Sequence, residues 1–400
     1  MEMQKRIPEL DGVRGLAILM VLIFHYFTIL LPQEIPLHSL VWYGKSATSL
    51  FLSGVDLFFV LSGFFIGGII IDNHAAPNLY KVFYLRRACR ILPPYTMLLT
   101  AAFVLRHTMG HQYSWIAQHQ LSSAAYLTFT QNFAMAFHGG WAKDVLDVTW
   151  SLAVEEQFYL FLPALLYIVG FQRWVLVLVP IMLAAPVLRL AFNGFGSSVL
   201  MPFRMDGLLF GVLIAYAFRQ RLFFDLFRKH PWLPWSIFLV LLAGFMRASL
   251  RNVLGYLNYA YLACFYGSFV ILAVTRSGSK DMALLRAGPL RYLGKISYGF
   301  YLYHVIILVF LHALILKRLP WIGDVRGQCV TALALIATLV ASTASFYLIE
   351  RPFQDVGHRH AFTPANASAD EAGVHGPDTR FARILRLVAF IGKRMSGRSQ

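Results

Sequence analysis

The chain is poor in charge: only 14% of its 400 residues are Asp, Glu, Lys or Arg, while 58% are hydrophobic. An ordinary soluble domain is roughly a quarter charged, and a soluble globule has nowhere to bury this much apolar surface. Acidic residues are scarcest, 19 against 35 Lys and Arg, which leaves a net charge of +16. Such a balance would suit nucleic acid if the basic residues lined one face. They sit instead in short clusters between apolar runs, so no nucleic-acid partner is expected. Cysteine is nearly absent: Cys89, Cys264 and Cys329 offer neither paired spacing nor a CxxC, which argues against a disulfide framework and a zinc site, and no metal is expected. The apolar run after Lys5 and Arg6 is long and lacks a prompt small-residue cleavage site, so it reads as a retained first span rather than a signal peptide. No repeat of fixed period is visible.

What is present is a succession of apolar stretches of about 20 residues, each long enough to cross a hydrocarbon core about 30 Å thick. Ten spans are expected, at 12–31, 50–71, 92–106, 153–171, 174–192, 200–218, 232–249, 257–275, 296–316 and 329–349. Segment 121–137 is a marginal eleventh, because Ser122, Ser123, Thr128, Thr130, Gln131 and Asn132 suit a re-entrant or outer-loop piece better than a lipid-facing helix. The fold class is therefore all-α, a polytopic transmembrane helix bundle surrounded by membrane lipid. The positive-inside rule places both N- and C-termini in the cytoplasm. Trp150, Trp174, Trp232 and Trp235 at span ends read as interfacial belts. Residues 1–353 form the membrane domain and 354–400 a cytoplasmic tail. Within the tail, 354–379 has the composition of a disordered linker. Segment 381–394 sets Phe381, Leu385, Val388 and Ile391 at helical spacing among arginines, a basic amphipathic helix for the inner membrane surface.

An ionisable group inside hydrocarbon costs a few kcal/mol or more, so it marks a partner or a site. In the first span Arg14 and His25 are three turns apart on one face, about 16 Å along the axis. Counting from span ends puts Asp56, Glu155, Arg189, Arg204 and Asp206 in the outer half. On the inner side, Arg87 and Arg90 share a helix face at i, i+3, and two guanidiniums so placed can hold phosphate bidentately. They equally fit a basic inner loop. The arrangement points to an anionic donor docking from the cytoplasm while His25 works deeper in the membrane. Acyl-CoA meets that description, with phosphates for the arginines and a long arm to bridge the depth.

Motifs along most of the chain carry a resemblance. RIPELDGVRGLAILMVLIFHYF contains Arg14-x10-His25; GVDLFFVLSGFFIG surrounds Asp56; RRACRILPPY holds Arg87-x-x-Arg90. TWSLAVEEQFYLFLP contains Glu155, FRMDGLLFG contains Arg204, ISYGFYLYH ends at His304, and ERPF begins at Glu350. In this order over residues 6 to 353, the chain resembles the acyltransferase 3 family of integral membrane O-acyltransferases. The resemblance implies a bacterial inner (plasma) membrane protein that moves acetyl or another short acyl group from acetyl-CoA or another acyl-CoA to a hydroxyl. The acceptor would be a carbohydrate: a cell-surface glycan, an oligosaccharide or a lipid-linked glycan. It makes His25 the essential catalytic residue and gives Arg14, Arg87 and Arg90 to the CoA donor. Some members carry a further hydrolase-like domain after the membrane part, whereas only residues 354–400 follow ERPF here.

As a base, neutral imidazole suits His25; an acyl-histidine intermediate is the other chemical possibility. Asp56 would orient that imidazole as in a triad, or serve as counter-ion to Arg204 or Arg189. Glu155 would receive the acceptor hydroxyl or cap its helix N-terminus. The outer group Arg189, Arg204 and Asp206 would bind the acceptor. His304, among Tyr298, Tyr301 and Tyr303, reads as a packed core histidine. The rival from another class is a transporter that uses the intramembrane charges as a substrate or proton pathway, although neither repeat symmetry nor paired broken helices support it.

Overall fold

The structure, a computed structural model, describes residues 7–32, 35–36, 39–110, 121–192, 194–251 and 255–363. Helices α1 (Pro8–Tyr26), α2 (Leu40–Ser49), α3 (Gly54–Asn73), α4 (Leu79–Met109), α5 (Ser123–Leu127) and α6 (Gln131–His138) are followed by α7 (Trp150–Val169), α8 (Trp174–Ala191), α9 (Gly196–Val199), α10 (Met201–Arg219) and α11 (Arg221–Lys229). Then come α12 (Leu233–Arg251), α13 (Asn258–Thr275), α14 (Gly288–Leu311), α15 (Val325–Ser345) and α16 (Arg351–His358). Among the described residues nine helical runs are long and apolar enough to cross a membrane. The expected span at 232–249 is helical as α12, but its apolar run, Leu233–Arg247, is shorter. Segment 121–137 holds the two short helices α5 and α6. Helices satisfy their backbone N–H and C=O groups within one segment, which lets an all-α bundle stand inside lipid.

Local chemistry sets the helix ends. Pro8 opens α1 with Glu9 and Asp11 in its first turn, where a missing N–H is harmless and negative charge meets the positive end of the helix dipole. Asp324 caps α15 by accepting from the Gly327 amide at 2.6 Å. Helix α4 runs through Pro93 and Pro94 for 31 residues, so the arginine motif lies on the same rod as the expected span 92–106 instead of in a loop beside it.

Glycine governs how closely the helices pack, as it does in membranes where no hydrophobic force drives helix to helix. A Cβ on Gly15 of α1 would overlap the Leu290 carbonyl oxygen, and one on Gly294 of α14 would overlap that of Asp11. Helices α3 and α10 meet the same way, Gly63 against the Leu208 carbonyl and Gly211 against that of Val60. These two contacts fix α1 on α14 and α3 on α10, and the functional side chains stand on those four helices and on α4 and α7 beside them. Trp150 and Trp174 are buried while Trp232 is exposed. Two of the expected interfacial tryptophans thus pack in the core.

The chain past ERPF does not leave the bundle at once. Residues 351–358 form α16, and the Arg86 guanidinium donates to the His360 carbonyl at 2.7 Å while covering the Phe362 ring at 4.8 Å. Asn78 donates to the Ala361 carbonyl at 3.0 Å and accepts from the Thr363 amide. The first part of the expected linker is therefore strapped to α4; the rest, and the basic helix at 381–394, lie outside the described residues.

Candidate active site

Two cavities meet at three arginines. The wider, about 710 Å³, is lined by Arg14, Arg87, Arg90, Arg219, Lys295 and Arg351, with Asp11, Asp72 and Glu350 as its acidic members. The narrower, about 110 Å³, runs between α1, α3, α4, α7 and α14; Phe58, Phe65, Ile66, Leu152 and Tyr301 form much of its wall, and Ser62, Ser151, Glu155 and Ser297 are polar points along it. Arg14, Arg87 and Arg90 line both. Arg219 is held by Asp72 at 2.5 Å, and Lys295 lies over the rings of Phe346 and Tyr347. Among the described residues neither Arg87 nor Arg90 forms an ion pair. Arg14 donates to Ser297 Oγ at 3.3 Å, and Arg87 sits over the Tyr159 ring at 5.5 Å. A broad cationic chamber thus narrows into an apolar slot.

Glu155 lines the slot, close enough to the arginines to feel their charge. Its carboxylate accepts from the Tyr159 hydroxyl at 3.1 Å, Tyr159 is bonded to Ser62 at 2.6 Å, and the charges of Arg14, Arg87 and Arg90 act on it. Counting residues from the span end groups Glu155 with Asp56 and Arg204. The depth count carries no azimuth, and Glu155 faces α3 and α4 rather than α10. Glu350, buried at 1% exposure, accepts from Ser345 Oγ at 3.3 Å at the wall of the wide cavity.

The other expected outer residues pair with one another. Arg204 binds Asp56 at 2.6 Å and Arg189 binds Asp206 at 2.7 Å. Arg204 lies 3.7 Å over the Tyr259 ring and donates to the Ser198 carbonyl at 3.1 Å, and Arg189 also donates to the Phe203 carbonyl. Asp56 is accordingly a counter-ion to Arg204, the second of its two expected roles, and its carboxylate is not hydrogen-bonded to His25. Arg189, Arg204 and Asp206, expected to bind an acceptor, have their charges satisfied inside the bundle; all three are at most 4% exposed.

His25 extends from α1 on the face that also carries Arg14. Its Nδ1 lies 2.9 Å from the Val21 carbonyl oxygen, and a carbonyl only accepts, so Nδ1 carries the hydrogen and Nε2 keeps its lone pair. His304 of α14 repeats the arrangement, with Nδ1 2.7 Å from the Tyr301 carbonyl. The two rings meet edge to face with centroids 4.9 Å apart. Tyr301 connects this pair to the slot: its side chain lines the narrow cavity, its hydroxyl donates to the Val148 carbonyl at 2.6 Å, and its ring is 5.8 Å from that of His304. His304 is fully buried, as a packed histidine should be, but its neighbour is His25. Lys295, Arg351, Tyr159 and Glu350 also line or border the cavities without standing out as site residues in the sequence. For Glu350 and His304 the signal existed, since each is an ionisable group within an apolar run.

The acyltransferase domain model of the acyltransferase 3 family matches residues 7–350. Among similar curated proteins, Putative O-acetyltransferase SACOL0978 of Staphylococcus aureus (strain COL) is 27% identical over 386 residues, 88% of this chain and 58% of that protein. O-acetyltransferase OatA of Staphylococcus aureus is 25% identical over 387 residues in strain MRSA252, 90% of this chain and 60% of that protein. The chain thus spans about three fifths of the length of these relatives. No solved structure matches it.

Proposed function

This chain belongs to the acyltransferase 3 family, and from that premise we propose that it is a membrane O-acyltransferase that takes an acetyl or other short acyl group from cytoplasmic acyl-CoA and esterifies a hydroxyl of a sugar-containing acceptor. The observation that carries the reading is the joint lining of a wide cationic chamber and a narrow apolar slot by Arg14, Arg87 and Arg90. A CoA thioester has the matching form: phosphates at one end for guanidinium forks, and a slender, mostly uncharged arm that leads to the acyl group. Tyr159, whose hydroxyl is bonded to Glu155, lies under the Arg87 guanidinium at the junction.

His25 Nε2, whose lone pair is left by the Nδ1 contact with Val21, takes the proton of the acceptor hydroxyl as its oxygen bonds to the thioester carbon. The carbon–sulfur bond then breaks, and the proton passes from His25 to the CoA thiolate. Asp56, Arg189, Arg204 and Asp206 brace α3, α8 and α10 around this path and touch neither substrate.

Calorimetry of acetyl-CoA with detergent-purified wild type, Arg87→Ala with Arg90→Ala, and His25→Ala tests the assignment. Wild type and His25→Ala should bind, and the arginine variant should lose at least about tenfold in affinity. His25→Ala should then transfer no acyl group. A wild type that binds neither acetyl-CoA nor a longer acyl-CoA sinks the enzyme reading and returns the intramembrane charges to the transporter reading.

A further inference from the structure

We propose that His304 is a positioning residue for the reaction, one that stabilises the imidazolium formed on His25 during acyl transfer. The proposal rests on reading His25 as the base. When the acceptor hydroxyl attacks, the carbon–oxygen bond forms, the carbon–sulfur bond breaks and the hydroxyl proton arrives at His25 Nε2. Until that proton leaves with the thiolate, His25 bears a full positive charge between α1 and α14, where water is scarce and an uncompensated charge is expensive.

What stands against His25 is a neutral imidazole with its polarity fixed. Because His304 Nδ1 donates to the Tyr301 carbonyl, its other nitrogen, Nε2, is the negative end of the ring dipole. That nitrogen is buried and has no hydrogen-bond partner among the described residues. A buried orphan acceptor is costly in a resting protein, and an edge-to-face neighbour at 4.9 Å that turns cationic in each turnover gives it a use. The His304 backbone is fixed as well, since Tyr26 donates from its hydroxyl to the His304 carbonyl at 2.8 Å and bonds Thr338 at 2.9 Å. His304 is therefore held from both α1 and α14, and His25 from α1.

Other groups on the helices around α1 are already engaged. Asp56 of α3 is paired with Arg204, the Tyr266 hydroxyl of α13 with Ser53, Lys45 of α2 with the Pro32 carbonyl, and the Tyr301 hydroxyl of α14 with Val148 and Ser151. Helix α15 offers Thr338, which does not titrate. His304 is left as the group able to answer the charge.

The test compares wild type, His304→Phe, which keeps a ring but no lone pair, and His304→Gln, which keeps an acceptor oxygen. The pH at which His25 becomes reactive to diethyl pyrocarbonate, read by peptide mass spectrometry, reports its proton affinity without donor or acceptor. Loss of His304 should disfavour the cation, so the midpoint should fall by about half a pH unit or more in His304→Phe and lie nearer wild type in His304→Gln. With acetyl-CoA, His304→Phe should keep its KM for donor and lose about 10- to 100-fold in kcat, with the acid limb of the profile displaced to lower pH. A folded His304→Phe with an unmoved midpoint overturns the proposal. So does failure of both variants to fold, which makes His304 a packing residue. If wild type transfers nothing while the midpoint still moves, the coupling of the two rings stands and the enzyme reading alone fails.

Discussion

Two groups of charged residues occupy the interior of the bundle, and they are solved differently. In the first, Asp56, Arg204, Arg189 and Asp206 make two short ion pairs, with both guanidiniums stacked on Tyr259. In the second, Arg14, Arg87 and Arg90 face open space, with Asp11, Glu155, Glu156 and Glu350 among the acids whose charge reaches them. Equal costs of burying charge are thus met once by protein and once by a cavity. A cluster that neutralises itself can set helix positions but has nothing left for a ligand. A cluster with surplus charge around a void costs stability, and regains it when an anion enters.

The largest test of that contrast breaks the closed cluster. Arg204→Ala strands a buried Asp56 carboxylate and should cost about 3–5 kcal/mol, read as a large drop in the melting temperature in detergent. Asp56→Leu with Arg204→Met should be milder than either single change, because removing both charges removes their desolvation penalty with them. The open cluster should behave in the reverse sense. Arg87→Ala with Arg90→Ala should leave the melting temperature of the donor-free protein unchanged or raised, and should not show the stabilisation by acetyl-CoA that the proposed function predicts for wild type. If Arg204→Ala instead melts like wild type and fails to acylate, the closed cluster is a binding site and the contrast is wrong.

Hydropathy made the bundle legible, because repeated apolar runs of span length suit little besides a membrane, and the arginine motif was legible because its i, i+3 spacing survives on a helix. Rotation about the helix axis was not. Glu155 and Asp56 fall at similar counted depths, yet one faces the arginines and the other Arg204, and only packing through Gly63 and Gly211 decides which. His25 stands out by its motif, whereas His304, 279 positions on, needed the close α1–α14 contact at Gly15 and Gly294 to become its neighbour. The expected span 92–106 starts beyond the arginine motif, whereas α4 carries both on one helix with Pro93 and Pro94 inside it, a step that usually ends a helix.

A moderate effect sharpens the same contrast through salt. The arginine chamber sets surplus positive charge around a cavity, so donor affinity should fall roughly several-fold between about 50 and 500 mM salt. The closed cluster is shielded from ions by its burial, and the melting temperature of donor-free protein should barely move. Equal salt sensitivity of both readouts would show that the two clusters share one environment.

The smallest effect comes from a pair outside both clusters. Asp324 at the head of α15 is lowered to about 2 by the Arg318 guanidinium and the Gly327 amide. A carboxyl with a depressed folded-state pKa contributes stability above its unfolded value, near 4, and loses it as pH falls toward 2. Because the pair is exposed, water screens most of this. Asp324→Ala should therefore lower the melting temperature at neutral pH by no more than about 2 °C, and the difference from wild type should close as pH drops through that window. Donor binding should be unaffected throughout. A loss as large as that of Arg204→Ala would mean that the head of α15 is held by charge as firmly as the interior. Burial would then not be what separates a structural ion pair from a weak one in this protein.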